Sequence, residues 1–183
     1  MTWPGLPPLD WYYPVLAGPV RATAAVARLE SGWAELVVPR LGVRCVSDQP
    51  WVTTAESCEL AMALAVAGEP DRALEIYSDI QHLREADGSY WTGWQFDHAV
   101  PFPSERSGWT AAAAVLAADV LSGATPGSCI FDQAGALPAG SSDPAAGGMA
   151  SAGRSPGKAV RPLSGASSQR GGVVARPAWR HVC

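Results

Sequence analysis

The chain has 183 residues, is nearly half apolar and carries a net charge of −4, which supplies enough apolar material for one folded unit. Residues 1–131 hold 15 acidic and 7 basic side chains, net −8, whereas residues 132–183 hold 2 and 6, net +4, so no cluster of Lys and Arg supports binding to nucleic acid. The longest apolar runs, 60–67 and 111–118, fall well short of the roughly 20 residues that cross a bilayer, and no membrane span is predicted.

Residues 1–9, with three prolines and no periodicity, read as an irregular lead-in with neither the basic start nor the hydrophobic stretch of a secretory signal. An aromatic segment, Asp10-Trp11-Tyr12-Tyr13-Pro14, follows. Pro19 suits the start of a helix better than its interior, which predicts a helix from there to about residue 30 and a short further piece over 33–38. Residues 41–49 read as loop, with a brief extended segment at 43–46.

The organising stretch is 50–91. Thr53 followed three residues later by Glu56 reads as a capping box that opens a helix running to about Ala67. Gly68 suits the left-handed position after that helix, and Pro70 suits the first turn of the next. The second helix, over 71–84, puts Ala73, Leu74, Tyr77, Ile80 and Leu83 on one stripe opposite charged residues. One helix is apolar nearly all round and its partner is amphipathic, an inner and an outer element. A loop carrying Trp94, Phe96, Asp97 and His98 covers 92–104, and a last Ala-rich helix spans about 105–121 before Gly123. Laying Thr54-Ala55 over Thr110-Ala111, an offset of 56 residues, suggests a repeated helical hairpin. The fold class expected is therefore all-α.

Residues 132–183 change character to Gly, Ala, Ser, Pro and Arg, a composition that buries too little surface to offset the entropy of ordering it. Disorder is expected there, and the abrupt change fits a shifted reading frame. Cys45, Cys58, Cys129 and Cys183 share no CxxC spacing and have no His at a zinc-like offset, which reads as cytosolic thiols. The location expected is cytoplasmic.

Several motifs resemble one known family. They are Asp10-Trp11-Tyr12-Tyr13-Pro14-Val15-Leu16, the segment from Gly42 to Thr53, Gln81-His82-Leu83-Arg84, the segment from Asp87 to Gly93, Trp109-Thr110-Ala111-Ala112 and Thr125-Pro126-Gly127-Ser128. Together they resemble the carboxy-terminal third of an actinobacterial prenyltransferase-like family placed with the α/α toroids, beside terpenoid cyclases and six-hairpin glycosidases. The resemblance covers about residues 10–131. It implies part of a toroid of paired inner and outer helices, with preceding hairpins absent, inactive on its own, and with exposed inner-helix faces that favour self-association. It also implies an isoprenoid as substrate.

The residues themselves leave three readings open. Glu56 and Glu59 share one face of the first turns of their helix and fit a pair of carboxyls acting on a glycosidic bond, although Glu56 also fits a capping role stabilised by the helix dipole. Asp10 and Asp48 stand at loop-to-helix junctions, as catalytic acids or as turn formers. Trp11, Tyr12, Tyr13, Trp51, Tyr90, Trp91, Trp94 and Trp109 offer ring faces to a cation or a sugar, although Trp91 and Trp109 read better as locks between hairpin ends. His82 reads as a surface or hairpin-packing residue and His98 as a weak acid–base candidate. Neither DxDD nor DDxxD occurs, and Cys58 and His82 lack a third zinc ligand. The cofactor is therefore unknown, and Mg²⁺ would enter only with an Asp-rich motif supplied from outside this stretch. The readings are isoprenoid handling, a carbohydrate-active protein taking a sugar substrate, and a non-catalytic helical module.

Overall fold

A computed structural model describes residues 8–131; the expected lead-in apart from its last two residues, and the whole expected tail, lie outside them. Its elements are α1 (Pro8–Leu16), α2 (Ala22–Leu36), β1 (Val37–Val38), β2 (Gly42–Arg44), β3 (Trp51–Thr53), α3 (Thr54–Ala67), α4 (Pro70–Asp79), a 3₁₀ turn (Ile80–Leu83), β4 (Gly93–Gln95), β5 (Val100–Pro101), α5 (Gly108–Ser122) and a second 3₁₀ turn (Pro126–Cys129).

The centre is α3. Its residues from Thr54 to Leu64 are buried on every side except at Glu56, because α1, α2, α4 and α5 surround it with β2. The apolar sequence read as an inner helix does form one. Gly68 closes it in the left-handed conformation, with φ 87°, and Pro70 starts α4, whose Ala73 and Ile76 face α3. The helical period of 71–84 then tightens into the 3₁₀ turn that buries Ile80 and Leu83.

The expectation of an all-α fold is corrected: β1 to β5 form one antiparallel sheet in the order β1-β2-β3-β4-β5. Its strands are two or three residues long, too short for the alternation that marks a strand in a sequence window. β2 overlaps the brief extended segment expected at 43–46, β1 falls in the piece expected to be helical over 33–38, and β4 and β5 lie in the segment read as loop because of Gly93 and Pro101. The described unit is thus mixed α/β, and the partial α/α toroid of stacked hairpins does not describe it. Two joints tie sheet to helix. The Val43 amide donates to Ser57 Oγ at 2.8 Å, and the Ser57 hydroxyl in turn donates to the Thr53 carbonyl at 2.6 Å.

The capping box is also corrected. Thr53 belongs to β3, and as N-cap of α3 its side chain accepts no backbone donor; its hydroxyl donates instead to the Glu56 carboxylate. The cap at α5 is a true one, since Ser107 Oγ accepts the Thr110 amide at 3.1 Å. Ser107→Ala should cost about 1 kcal/mol, read as a lowered urea midpoint with unchanged slope.

The aromatic segment from Asp10 is helical, and its helix takes in the last two residues of the expected lead-in. Pro14 lies inside α1, where it lacks the donor that would serve the Asp10 carbonyl. Arg28 of α2 supplies it, donating to the Asp10 and Trp11 carbonyls. In α2, Gly32 does not break the helix. A Cβ at that position would lie 2.7 Å from the Trp11 indole, so the glycine is where α1 and α2 approach.

Candidate functional site

Glu59 sits in the second turn of α3 and is 6% exposed. A carboxyl placed there needs partners, and α1 brings two. The Tyr12 hydroxyl donates to Oε2 at 2.7 Å and the Tyr13 hydroxyl to Oε1 at 3.1 Å. Tyr12 is fully buried, whereas Tyr13 is half-buried. Burial pushes the Glu59 carboxyl above its ordinary value of 4.5, the Tyr12 bond pulls it back, the Glu56 charge raises it again and the Tyr13 bond opposes that, with the upward direction prevailing. Such a carboxyl retains its proton at a pH where an exposed one has lost it. The tyrosines respond in kind. Burial and the neighbouring Glu59 charge raise both, Tyr13 to about 12.

Glu56 stands one turn earlier on the same helix, within electrostatic reach of Glu59. It accepts from Thr53 Oγ1 and, at 3.9 Å, from the Cys45 thiol. Burial first and the Glu56 charge second hold that thiol up, at about 11, so Cys45 is a poor nucleophile at neutral pH.

A cavity of ≈ 230 Å³ opens beside Glu59 between α1, α3 and α5. Its wall is built at three-residue helical spacing: Tyr13 and Leu16 from α1, Glu59 and Met62 from α3, Trp109, Ala112, Ala113 and Leu116 from α5, closed by Phe131. One carboxyl and one phenol are thus set in an otherwise apolar surface. The volume suits one edge of a sugar ring rather than an oligosaccharide, since pockets for larger ligands run to roughly 300–1,000 Å³.

Of the residues singled out in the sequence, Glu59, Glu56 and Tyr12 come together. Trp11 adjoins Tyr12 edge to face, but its indole donates to the Arg28 carbonyl at 2.8 Å and its ring is buried. Asp10 is exposed on α1, lining a separate depression of ≈ 150 Å³ with Arg28 and Glu35. Asp48 is exposed in the loop before β3. Trp51 donates from its indole to the Phe102 carbonyl at 2.6 Å, and Trp94 packs edge to face on His82; both are committed to the sheet. Trp91 does lock a chain reversal, donating to Glu85 at 2.6 Å with Arg106 over its ring. Trp109 departs from its expected lock, being 66% exposed at the cavity. Leu16, Met62 and Leu116 escaped the sequence reading as site residues, and Tyr13, noted there for its ring, joins the site through its hydroxyl. Their signal lay in the three-residue spacing of Tyr13 and Leu16 and of Glu59 and Met62, which meets only once the helices pack. Among the described residues, no group of three or more His, Cys, Asp and Glu side chains is placed to hold a metal ion, and no helix is long and apolar enough to cross a membrane.

Comparison with known proteins bears on these residues. No family model matches the chain. A protein of Mycolicibacterium hassiacum named MMP endo-(1,4)-3-O-methyl-alpha-D-mannosidase is 54% identical over 123 residues, which are 67% of this chain and 34% of that protein. The chain thus spans about a third of the length of this relative. The relative's name overturns the prenyltransferase-like and terpenoid-cyclase-like assignment, and with it the isoprenoid substrate. Identity at this level lies with a protein named for cleaving mannosides, and the carbohydrate-active alternative agrees with it better.

Proposed function

We propose that this chain forms part of a carbohydrate-active enzyme that hydrolyses α-mannosides, with Glu59 as its general acid. The observation that carries the reading is the Glu59 carboxyl itself, raised by burial and opening on a cavity, in a chain 54% identical over 123 residues to a protein named a mannosidase. Glycoside hydrolysis requires a carboxyl still protonated near neutral pH and a second one to handle water or the sugar carbon.

In this reading the Glu59 proton passes to the glycosidic oxygen while the bond between that oxygen and the sugar C1 breaks, its electron pair staying with the leaving sugar. Water then adds to C1, and its proton goes to the second carboxylate. Glu56 takes that role in this reading: it lies one helical turn from Glu59 and within its electrostatic reach, held by Thr53 and Cys45 outside the cavity lining. Tyr12 and Tyr13 are positioning residues that fix the rotamer of Glu59. Of the two oxygens, Oε1 is the one to deliver the proton, because its partner Tyr13 lines the cavity while Oε2 is anchored by the fully buried Tyr12. Asp10, Asp48, Trp51 and Trp94 have no part in this proposal.

Because the chain spans about a third of the relative, the test joins it to the portion of the mannosidase that its match does not cover. The hybrid should release reducing ends from 1,4-linked 3-O-methyl-α-D-mannoside oligomers. Glu59→Gln should slow that release by about 10²–10⁴-fold, the usual contribution of a general acid. A hybrid whose Glu59→Gln form hydrolyses at the parental rate would remove Glu59 from this role.

A further inference from the structure

We propose that Trp109 is the stacking platform of the cavity between α1, α3 and α5, the side chain that holds a pyranose ring so that its glycosidic oxygen meets Glu59. This rests on the mannosidase reading and deepens it. Among the described residues, Trp11, Trp33, Trp51, Trp91 and Trp94 each give the indole to a carbonyl, a carboxylate, a guanidinium or another ring. Trp109 gives its own to none of them and is 66% exposed. An apolar ring of that size stays in water at a cost, which is recovered when a ligand covers it.

Its place selects the ligand. Trp109, Ala112, Ala113 and Leu116 follow at three- and four-residue spacing on α5 and share the cavity with Tyr13 and Glu59. The alanines between the indole and Leu116 are small enough for a ring to lie against the helix. On the opposite wall the Tyr13 hydroxyl bonds the Glu59 carboxyl at 3.1 Å, and each oxygen keeps a lone pair that can accept from a further donor. The apolar face of another protein would cover these oxygens without bonding them, which is costly. A pyranose supplies both halves of the match, C–H bonds for the indole face and hydroxyls for the oxygens.

The experiment uses the whole 183-residue chain, labelled for NMR on its indoles, and two probes: methyl α-D-mannopyranoside and D-mannitol, a polyol with hydroxyls but no ring. The glycoside should shift the Trp109 indole resonance, and its own ring C–H resonances should move upfield, as protons over an aromatic face do. Mannitol should do neither. Trp109→Leu, which keeps an apolar side chain, should abolish the upfield movement and weaken the glycoside about tenfold, whereas Trp109→Tyr should hold it within about threefold. At so exposed a position neither change should move the urea midpoint. In the hybrid with the mannosidase portion, Trp109→Leu should raise KM about tenfold with kcat lowered no more than about twofold, the mark of lost binding rather than lost chemistry. Mannitol bound as tightly as the glycoside, a glycoside that leaves the Trp109 resonance in place, or a hybrid whose KM ignores Trp109→Leu would each overturn the platform. Trp109 shifts that follow protein concentration and ignore sugar would also overturn it, by assigning the face to a second copy of the chain. A hybrid indifferent to Glu59→Gln sinks the mannosidase reading, whereas a Glu59-dependent hybrid indifferent to Trp109→Leu sinks the platform alone.

Discussion

Glu59→Gln should stabilise the protein at pH 7 while removing the activity proposed for it. Glu59 is raised chiefly by burial, against two tyrosine bonds that lower it, so in the native state it binds a proton more tightly than in the unfolded chain. In the pH interval between 4.5, the ordinary value, and the higher native value, folding takes up a proton. Stability is fully present below that interval and falls as pH rises through the native value of Glu59. At pH 7 the parent must therefore either hold an extra proton or bury a charge among Tyr12, Tyr13, Met62 and Cys58, with Glu56 repelling it from the same helix. Glutamine keeps the shape, accepts from Tyr12 through its carbonyl and donates to the Tyr13 oxygen, and carries no charge. The gain should be on the order of 1 kcal/mol, as when a functional residue held at the expense of stability is relieved. Urea melts of parent and variant at pH 4 and pH 7 measure it. The two curves should lie closer at pH 4 than at pH 7, with the variant the more stable at pH 7. A variant less stable at pH 7, or an equal gap at both pH values, would mean that Glu59 is settled by its tyrosines and carries no stored penalty.

How much of this could be read from the sequence follows from the length scale of each feature. The 14 residues of α3 span enough turns to declare themselves by composition, and Gly68 and Pro70 punctuate its end by backbone sterics that act locally. Of the sheet only β2 showed, as the brief extended segment expected at 43–46, because a strand such as Val100–Pro101 is defined by its partner Trp94-Gln95 and not by its own two residues. Glu59 stood out as a carboxyl on an apolar helix, the kind of local inconsistency that marks function. Its tyrosine partners were 46 and 47 residues away, beyond any spacing rule. Trp11, Trp51 and Trp94 drew attention as aromatics, yet their indole N–H groups and ring edges go to carbonyls and neighbouring rings. Composition ranks such residues by type and cannot rank them by what they touch. Trp109 was misjudged for the same reason, since α5 turns it away from the hairpin end and toward the cavity. The family resemblance misled on chemistry because it rested on motifs such as Asp87-Gly88-Ser89, which form turns here: the Asp87 carboxylate accepts the Ser89 amide at 2.9 Å.

The largest structural effect is expected at Gly93, in a segment whose sequence reads as loop. It pairs with Thr53 across β3 and β4, and its carbonyl accepts the Phe102 amide at 2.9 Å, so it is held from both sides. A Cβ added there would lie 2.5 Å from Trp51 Nε1, 2.6 Å from the Val52 carbonyl and 2.8 Å from the Phe102 carbonyl. The indole can swing aside, at the cost of its bond to Phe102, but the two carbonyls are backbone, Val52 in β3 and Phe102 just past β5, and cannot. Gly93→Ala should therefore cost about 3 kcal/mol or more, the upper range for overpacking, because relief requires moving backbone. The damage should reach the site, since Thr53 both pairs with Gly93 and donates to Glu56 at the mouth of α3. Gly108→Ala is the control. That glycine opens α5 with nothing within 4 Å of an added Cβ, and alanine there should be neutral or stabilise by up to about 1 kcal/mol. Denaturant midpoints for the two variants should move in opposite directions or differ by at least about 2 kcal/mol. A Gly93→Ala protein melting within about 0.5 kcal/mol of the parent, the range of an inert surface change, would show that β3 and the segment at Phe102 do not close around this residue, and the anchoring of Thr53 beneath Glu56 would fall with them.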